Sequence, residues 1–414
     1  MSTIKDSVHD HITVDGVAAD LLDTPPIQRL RRIKQLGTVS YVYPSANHTR
    51  FEHSLGVYHL ACEALDHLGI DGARAERTRA AAILHDIGHG PYSHNVESLL
   101  HRHTGRYHDD VDDLVATGPV ARVLDDHGID PATIADMVRG DGELAQLVAG
   151  ELDVDRMDYL VRDAHHTGVP YGTIDHERLV RELAFIDGEL VLGEGNVQTA
   201  ESLLVARALM NPTVYNHHVA RISKAMLRRA TEALVDAGDA QPQRVRRMDD
   251  AELQVALRAH DASRDLADRL ADRDLYKRAV WAEMADVFED VVDPDAGLLD
   301  ATHGERRALE DDIAADADVD PDHVIIDVQS APGMRETTTR VLVNGDIRRL
   351  GDQSTLVRAL QMAQREQWRL GVYTPTELTE PVGRAAERVL GLQTDGALIA
   401  ENASHGQYTS LSDF

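Results

Sequence analysis

The spacing of apolar residues predicts helices through most of the first 237 residues. Between Ala18 and Leu234, apolar side chains recur at intervals of three and four, and Pro or Gly interrupts the pattern every few turns. Such a pattern is typical of a bundle of short packed helices. In residues 183–192, apolar and polar positions alternate around a turn at 187–188, which predicts a β-hairpin. The helices are predicted at residues 26–36, 51–68, 73–86, 95–103, 152–165 and 197–237.

The pattern changes after residue 237, where charged residues become frequent. Residues 244–292 keep the spacing of amphipathic helices. Residues 281–320 carry 14 acidic and two basic side chains, a composition that is typical of an exposed linker. We expect this linker chiefly at 292–297 and 311–320.

A small β-structure is predicted near the carboxyl end. Residues 323–329 and 338–344 alternate with β-branched side chains around a Pro-Gly turn at 332–333, which indicates two paired strands. A helix at 354–370 and a strand at 370–373 complete this region. The sequence thus predicts a mostly α-helical fold, divided into a helical bundle at 1–237, an acidic helical or linker region at 238–320 and a small C-terminal α+β region at 321–414.

The charge balance excludes a protein that coats DNA or RNA. Lys and Arg total 42 while Asp and Glu total 71, so the formal net charge is −29. A surface with this charge repels polyanions unless basic side chains gather in one cleft, so we expect no stable binding of nucleic acid. Only four of the basic residues are Lys, and a dense carboxylate surface of this kind is typical of a halophilic, high-salt cytoplasm.

The single cysteine, Cys62, excludes an internal disulfide framework and a cysteine-rich zinc site. The first ten residues lack the apolar stretch of a signal peptide. No uninterrupted apolar run approaches the roughly 18 residues that span a bilayer. We therefore expect a cytoplasmic protein with no membrane partner.

One of the His-Asp pairs in the sequence is distinguished by its surroundings. His85 and Asp86 end the apolar helix of the segment AAAILHDIGHGPYSH, so two metal-binding side chains are expected near the core. His89 follows one helical turn after His85, and the Gly and Pro residues beyond it turn the chain so that His94 returns toward them. The plain alternative for any one of these histidines is a hydrogen-bonded core residue.

Two further segments supply candidate ligands. His53 lies at the start of an apolar helix. In ELDVDRMDYLVRD, Asp153, Asp155 and Asp158 alternate with apolar residues, which is costly unless a carboxylate is paired or binds a metal. Two imidazoles and two carboxylates suit a divalent ion such as Fe, Mn, Ni, Zn or Mg. The predicted metal ligands are His53, His85, Asp86 and Asp155.

Four segments in order carry a family resemblance. They are DTPPIQRLRRIKQLG at 23–37, YPSANHTRFEHSLGVYHLA at 43–61, ILHDIGHGPYSH at 83–94 and GELDVDRMDYLVRDAHHTG at 150–168. Across residues 4–235 the chain resembles the HD-domain metal-dependent phosphohydrolases, and within them the dGTPase-like branch of deoxynucleoside triphosphate (dNTP) triphosphohydrolases. The resemblance implies an HD-domain helical bundle in which the same four residues hold the metal.

The resemblance also implies a reaction. In enzymes of this branch water attacks the α-phosphorus, and deoxynucleoside and inorganic triphosphate are released. His94 is the predicted general acid for the leaving 5′-oxygen, while His89 and His108 would contact phosphate or tune the nucleophile. Guanidinium groups suit phosphate oxygens, although most arginines in so acidic a chain are expected in surface ion pairs. The arginines that match phosphate-contacting positions are Arg50, Arg156 and Arg207.

Similar positions in the branch suggest contacts to the nucleoside. Gln35 and Asp163 correspond to residues that bind the sugar 3′-hydroxyl, and Tyr159 to one that stacks against the sugar. Tyr215 and the Asn after it correspond to a base-side pair that is elsewhere Tyr-Gln, so the base preference is left open.

The resemblance also bears on regulation and assembly. Asp23, Gln28 and Arg31 match positions that bind an activating nucleotide between subunits in a vertebrate relative. Ser7 and Asp10 depart from the Pro and Gly common just before them, and the plain alternative is a structural helix that positions Gln35. A homo-oligomer, either a dimer or a tetramer, is expected because such regulatory sites need an interface.

Three functional hypotheses remain open from the sequence. The first is hydrolysis of dNTPs. The second is hydrolysis of another nucleotide ester, such as a monophosphate or a cyclic nucleotide, because one fold serves several substrates. The third is a nucleotide-sensing module without catalysis. The four candidate ligands and His94 argue against it, because binding alone needs neither a metal-activated water nor a general acid. The residues that separate the first from the second are Gln35, Tyr159, Asp163 and Arg207.

Overall fold

Helices make up most of the described chain, so the predicted mostly α-helical fold class is confirmed. The computed structural model describes residues 2–287, 298–299, 301–329 and 338–392. The first helices are α1 (Gly16–Leu22), α2 (Pro25–Arg29), α3 (Arg50–Leu68), α4 (Gly72–Leu84), α5 (Glu97–Thr104), α6 (Asp112–Val115), α7 (Gly118–Asp126), α8 (Pro131–Val138), α9 (Ala145–Val148) and α10 (Val154–Thr167). Those that follow are α11 (His176–Arg181), α12 (Val197–Met210), α13 (His218–Asp236), α14 (Pro242–Val245), α15 (Asp250–Ala259), α16 (Asp261–Asp272), α17 (His303–Ala317), α18 (Leu350–Gln353), α19 (Thr355–Glu366) and α20 (Thr379–Leu390).

Short strands form three small sheets among the described residues. The strands are β1 (Ser2–Asp6), β2 (Asp10–Val14), β3 (Leu183–Ile186), β4 (Glu189–Leu192), β5 (Lys277–Glu283), β6 (Ile325–Val328), β7 (Arg340–Val343), β8 (Asp346–Arg349) and β9 (Arg369–Thr374). Strands β1 and β2 form an antiparallel hairpin. The order of the second sheet is β3-β4-β7-β8, in which β4 and β7 run parallel, and that of the third is β5-β9-β6. The hairpin predicted at 183–192 is confirmed.

Local signals fix the ends of two helices that carry the site. At the start of α3 the carboxylate of Glu52 accepts a hydrogen bond from the Thr49 N–H at 2.6 Å, and α3 ends at Gly69, which has a φ of 65°. At the start of α10 the side chain of Asp153 accepts the N–H of the third helical residue, and the helix ends at Gly168 with a φ of 73°. Both helices therefore begin with a carboxylate cap and stop at a left-handed glycine.

The contacts divide the described residues into two compact units, each with its own apolar core. Unit 1 comprises residues 2–220, 230–268 and 338–360. Unit 2 comprises residues 221–229, 269–287, 298–299, 301–329 and 361–392. The units are discontinuous in sequence, unlike the three contiguous ranges predicted, because β7 pairs with β4 and thereby joins unit 1. No helix in the described ranges has the length and apolar character that crossing a bilayer requires.

The helix predicted at 197–237 is interrupted. Helix α12 ends at Met210, a π-helical turn covers Asn211–Tyr215, and α13 begins at His218. Pro212 lies in that turn and has no N–H to donate, which explains the break. The helix predicted at 26–36 is also shorter than expected, since Lys34 forms a β-bridge with Thr49.

The acidic stretch is not the exposed linker that its composition indicated. Residues 311–317 belong to α17, which buries Ile313 and Ala314 while Asp311, Asp312 and Asp316 are exposed. Glu310 on the same helix is buried because Arg229 and Arg307 pair with it. Residues 292–297 lie outside the described residues.

Two further elements differ from prediction. Residues 277–283, expected to be helical, form strand β5, because Ala279, Val280 and Ala282 pack in the core of unit 2 against its partner β9. The strands expected at 323–329 and 338–344 form as β6 and β7 but do not pair with each other. Strand β6 pairs with β9, while β7 pairs with β4 and β8. The turn predicted at 332–333 lies outside the described residues.

Candidate active site

The predicted metal ligands come together from three helices of unit 1. His53 lies on α3, His85 and Asp86 directly follow α4, and Asp155 lies in the first turn of α10. Ligand atoms of the first three lie within 4.8 Å of one another, and all three side chains are buried. Asp155 completes the group, with its Oδ1 2.7 Å from Nε2 of His53 and 3.8 Å from Nε2 of His85.

Both histidines turn the same nitrogen toward this cluster. Nδ1 of His53 lies 2.7 Å from Oδ2 of Asp158, and Nδ1 of His85 lies 2.8 Å from the carbonyl oxygen of Ala82. Because both partners only accept, a neutral imidazole carries its proton on Nδ1 and keeps the Nε2 lone pair. The two Nε2 atoms are 3.3 Å apart, and Oδ1 of Asp86 is 3.4 Å from Nε2 of His85. Ligands of one cation with bonds of about 2.1 Å lie roughly 3.0–3.4 Å apart, so this donor set could hold a divalent ion.

The charges around the cluster favour binding of a cation. Burial alone would raise the pKa of Asp86, but Arg50, His85 and His89 outweigh it and hold the pKa well below its usual range. Burial lowers the pKa of His53, but Asp155 and its partner on Nδ1 outweigh that effect and raise it to about 10. A proton on Nε2 of His53 therefore occupies the position that a cation would take, and the two compete.

Arg50, a predicted phosphate contact, bonds to one of the predicted metal ligands. Its Nη1 donates to both carboxylate oxygens of Asp86, at 2.9 and 3.1 Å, and its Nε donates to Oγ of Ser93 at 2.9 Å. The guanidinium is 4% exposed. Arg50 thus holds a predicted ligand in position, and its contact to phosphate stays a prediction.

A second cluster adjoins the first and contains all three predicted catalytic histidines. Nε2 of His89 lies 3.2 Å from Oδ1 of Asp86, and its ring stacks on that of His108 with centroids 4.2 Å apart. The ring of His94 stands edge-on to both. The Glu97 carboxylate connects His94 and His108. One of its oxygens accepts from Nδ1 of His94 at 2.6 Å, and the other accepts from Nδ1 of His108.

The surroundings shift the pKa values of these histidines in different directions. Burial lowers the pKa of His94, the charges of Arg50 and His108 add to that fall, and the Glu97 carboxylate opposes it. Burial, Arg50 and His108 hold the pKa of His89 well below its usual range, so its ring is neutral. Burial also lowers the pKa of His108, but the Glu97 carboxylate outweighs it and raises that pKa. His94 is the most exposed of the three, with 52% of its side chain accessible. The accessible ring is therefore the one that the sequence assigned to proton transfer.

The predicted nucleoside contacts form a third group. Asp163 is buried and already paired, since Oδ1 lies 2.8 Å from Nε2 of His48 and Oδ2 accepts from the hydroxyl of Tyr215 at 2.9 Å. The ring of Tyr159 lies 6.3 Å from that of Tyr215. Gln35 is 7% exposed, and its Oε1 accepts no hydrogen bond from any described residue. A buried acceptor without a donor is rare and indicates a missing polar partner.

Two arginines remain near this group. Arg156 on α10 donates from Nη1 to the carbonyl oxygen of Glu151. Arg207 on α12 is half-buried. Burial raises the pKa of Tyr159, and the charges of Arg156 and Arg207 oppose that rise, which puts both guanidinium groups in electrostatic reach of the Tyr159 hydroxyl.

The structure adds three polar residues that the sequence did not assign to the site. Glu97 bridges two histidines, and its spacing of three residues from His94 is the signal that could have shown it. Asp158 binds Nδ1 of His53, a task that the Asp-rich pattern of α10 left open among three carboxylates. His48 binds Asp163, and no spacing in the sequence connects these two residues.

Two of the residues matched to a regulatory nucleotide site, Gln28 and Arg31, bond to each other. The side-chain amide of Gln28 donates to the carbonyl oxygen of Leu22 at 2.8 Å, and Nε of Arg31 donates to Oε1 of Gln28 at 2.9 Å. Arg31 also lies over the ring of Phe51 at 3.5 Å. Asp23 follows the end of α1. A role in nucleotide binding stays a prediction.

Comparison with known proteins establishes the family. Residues 50–163 match the HD domain, and residues 174–401 match the HD associated region. Protein MJ1154 of Methanocaldococcus jannaschii is 32% identical over 381 residues, which cover 91% of this chain and 80% of that protein. The chain therefore belongs to the HD-domain family, in the group that carries the HD-associated region.

Two other similarities concern proteins with a named activity. The deoxynucleoside triphosphate triphosphohydrolase SAMHD1 homolog of Dictyostelium discoideum is 33% identical over 257 residues, covering 56% of this chain and 49% of that protein. A phosphohydrolase from Bacteroides thetaiotaomicron superposes with a TM-score of 0.71 at 25% identity, covering 91% of this chain and all of the other. The chain thus spans about half the length of the SAMHD1 relative.

Proposed function

We propose that this HD-domain protein is a metal-dependent phosphohydrolase that converts dNTPs to deoxynucleoside and inorganic triphosphate. The observation that carries the proposal is the convergence of Nε2 of His53, Nε2 of His85, Asp86 and Asp155 beside the histidines bridged by Glu97. Relatives named as dNTP triphosphohydrolases, at 33% identity in one case, support the choice of substrate.

The four ligands would hold one divalent ion. Bound there, such an ion supplies a water of lowered pKa and a counter-charge for phosphate oxygens. The protein contributes the orientation of the donor atoms. Asp158 and the Ala82 carbonyl fix the two imidazoles, and Arg50 fixes the carboxylate of Asp86.

His94 is the proposed general acid. Water adds to the α-phosphorus, the bond from phosphorus to the 5′-oxygen breaks, and His94 gives its proton to the leaving oxygen. Glu97 binds Nδ1 of His94 at 2.6 Å, which leaves Nε2 to meet the substrate. Burial and the charges of Arg50 and His108 lower the pKa of His94, and the Glu97 carboxylate opposes that fall. The neutral ring of His89, and that of His108, whose pKa Glu97 raises, would then contact the phosphates.

Phosphate charge would be met by Arg156 and Arg207, the two predicted arginines whose charges act on Tyr159. A guanidinium can bind two phosphate oxygens at once, so two such groups suit a triphosphate better than a monophosphate. In a chain with a net charge of −29, two arginines close to one tyrosine would attract a small anion while the remaining surface repels long polyanions.

The sugar contacts can be ranked from the hydrogen bonds. Both oxygens of Asp163 already have donors in His48 and Tyr215. Oε1 of Gln35 has none among the described residues and is buried. We therefore assign the 3′-hydroxyl chiefly to Gln35, with Asp163 orienting Tyr215 beside the sugar-stacking Tyr159.

Product analysis tests the proposal. The metal-loaded protein is incubated in high salt with each of the four dNTPs, with their mixture, with a deoxynucleoside monophosphate and with a cyclic nucleotide. Products are separated by chromatography and identified by phosphorus NMR. A double variant of His85→Ala and Asp86→Ala is the matched control for contaminating phosphatases.

The expected products are deoxynucleoside and inorganic triphosphate. In water enriched in oxygen-18, the label should enter the triphosphate and not the deoxynucleoside, because water attacks phosphorus and not carbon. Orthophosphate or pyrophosphate as the first product would contradict attack on the α-phosphorus. Turnover restricted to the monophosphate or the cyclic nucleotide would show the alternative ester activity, and no turnover with any metal would favour a sensing module.

A further inference from the structure

A buried network extends outward from the metal-ligand candidate His53. Oδ2 of Asp158 lies 2.7 Å from Nδ1 of His53 and accepts from Nε of Arg162 at 2.9 Å. Its other oxygen, Oδ1, lies 2.6 Å from Nε2 of His9 and accepts from Nη2 of Arg162 at 3.0 Å. Asp158 and Arg162 have no exposed surface. Both carboxylate oxygens of Asp158 are therefore saturated by donors.

The network continues into the N-terminal hairpin. Nη1 and Nη2 of Arg162 donate to the two oxygens of Asp6, at 2.9 and 3.2 Å. Asp6 is the last residue of β1, and its Oδ1 also accepts the backbone N–H groups of Val8 and His9, at 2.9 and 2.8 Å. The turn of the hairpin is thus tied through one guanidinium to the carboxylate that holds His53.

The two candidate ligand histidines are oriented in different ways. Nδ1 of His85 bonds to the carbonyl oxygen of Ala82, three residues earlier in the same stretch of chain. Nδ1 of His53 depends on Asp158, 105 residues away, and that carboxylate depends in turn on His9 and Asp6. The ring of His85 is therefore fixed locally, whereas that of His53 needs distant parts of the chain.

We infer that Asp158 is a positioning residue for the metal ligand His53, and that the β1–β2 hairpin supports it through Asp6 and His9. The inference rests on the proposed function, since it assigns His53 a metal. The carboxylate keeps the imidazole proton on Nδ1 and aims the Nε2 lone pair at the cluster. A carboxylate behind a ligand histidine fixes its tautomer and raises its basicity, and its loss typically weakens metal affinity about 10- to 100-fold.

Asp158→Asn is the decisive variant. The amide has nearly the shape of the carboxylate, but its NH2 group must face one of two N–H donors, Nε or Nη2 of Arg162. Asp6→Asn is a second, milder variant, because it leaves every direct bond to Asp158 in place. Asp249→Asn is the matched control, since Asp249 is buried and pairs with Arg32 at the start of α15, where Asn caps equally well.

The measurement is the dissociation constant of Co²⁺ for each full-length protein, followed by the visible spectrum of the bound ion and by competition with a chromophoric chelator. Proton and nitrogen NMR of the protein loaded with diamagnetic Zn²⁺, where the metal would take Nε2, reports whether Nδ1 of His53 keeps its proton. Unfolding in denaturant, without metal, shows whether each variant is folded. The spectrum and the affinity both respond to ligand orientation and do not depend on turnover.

We expect Asp158→Asn to raise the dissociation constant about 10- to 100-fold and Asp6→Asn to raise it less, about three- to tenfold. Asp249→Asn should stay within about twofold of the wild-type value. A folded Asp158→Asn protein with wild-type affinity and spectrum overturns the inference. If that variant does not fold, Asp6→Asn decides in the same way.

The outcomes also separate this inference from the proposed function. If the wild-type protein binds Co²⁺ but hydrolyses no dNTP, and Asp158→Asn still weakens binding, the proposed substrate fails while the positioning role stands. If the wild-type protein hydrolyses dNTPs and the variants bind Co²⁺ normally, the positioning role alone fails. If the wild-type protein binds no divalent ion at all, both are overturned.

Discussion

Gly56 and Asp158 approach so closely that no side chain fits between them. A Cβ built at Gly56 would lie 1.8 Å from Oδ1 of Asp158 and 2.5 Å from Nη2 of Arg162. Gly56 lies on α3 one turn beyond His53, and its backbone has ordinary helical geometry. The glycine is therefore required for space and not for an unusual φ.

Gly56→Ala should displace the carboxylate that holds His53. Overpacking a tight core typically costs about 1–3 kcal/mol, and a buried ion pair is displaced here as well, so we expect a loss of unfolding free energy near the top of that range. Denaturant unfolding measures it. Gly304→Ala on α17 is the control, because a Cβ there meets nothing within 4 Å. An equal effect of the two substitutions would contradict the steric argument.

Gln35→Met should weaken dNTP binding and leave the free energy of unfolding almost unchanged. Met has nearly the volume of Gln, and Oε1 of Gln35 has no donor to lose among the described residues. We expect the unfolding free energy to change by less than about 1 kcal/mol. If Oε1 accepts the 3′-hydroxyl, KM for dNTPs should rise about tenfold while kcat changes little. Steady-state kinetics measure both, and an unchanged KM would remove Gln35 from the substrate site.

His94→Ala should lower kcat while nucleotide binding stays near normal. Loss of a general acid typically costs about 10²- to 10⁴-fold in rate. Glu97→Gln should lower kcat less, because His94 remains but loses the negative charge that favours its protonated ring. Rapid-quench turnover and equilibrium nucleotide binding give the two quantities separately. A pure loss of affinity in His94→Ala would reassign that residue to substrate contact.

Asp155→Ala should abolish turnover with little loss of folding. Asp155 is about one-third exposed, at 34%, so its removal opens no large cavity. We expect activity to fall more than about a hundredfold and the unfolding free energy to change by less than about 2 kcal/mol. Asp153→Asn, on the same helix, is the control, since Asp153 caps the helix and Asn caps equally well. Retained turnover in metal-loaded Asp155→Ala would refute the ligand assignment.

That the four predicted ligands lie together could be expected from the sequence, because they lie in motifs with local signals. The apolar segment before His85 and the repeated Asp residues of α10 mark positions where polar groups are costly in a core. Three of those carboxylates proved to have three tasks, since Asp153 caps the helix, Asp155 meets Nε2 of His53 and Asp158 meets its Nδ1. Periodicity indicates that such groups are buried but not which atom each one faces.

The sequence could not predict hydrogen-bond partners and strand pairings that depend on contacts between distant parts of the chain. Arg50, the first residue of α3, bonds to Asp86, which follows α4, whereas the family resemblance implied a phosphate contact. Strands β6 and β7 were recognised from alternation, but their partners were not, because register and pairing depend on the whole core. The helical part of the fold was more predictable, since its signals are local.

Asp250 gives stability a pH dependence that can be measured. Its carboxylate accepts the backbone N–H groups of Tyr92 and Lys34, at 2.6 and 3.0 Å, and it is 8% exposed. Burial outweighs these bonds and raises the pKa of Asp250 to about 6. The folded protein therefore holds this proton more tightly than the unfolded chain does. The resulting stabilisation is full below the unfolded pKa and is lost as the pH rises through 6.

Between pH 5 and pH 8 this group should contribute a fall of about 1.4 kcal/mol in the free energy of unfolding. Asp250→Asn removes the titration, so the wild-type curve should fall relative to the variant curve as the pH rises and should run parallel to it above about pH 7. Denaturant unfolding at several pH values measures both curves, and their slopes are compared because the amide also changes the offset. Asp249→Asn is the control, since the pKa of Asp249 lies below its usual value, where Arg32 outweighs burial. Parallel wild-type and Asp250→Asn curves across this range would show that Asp250 is ionised throughout.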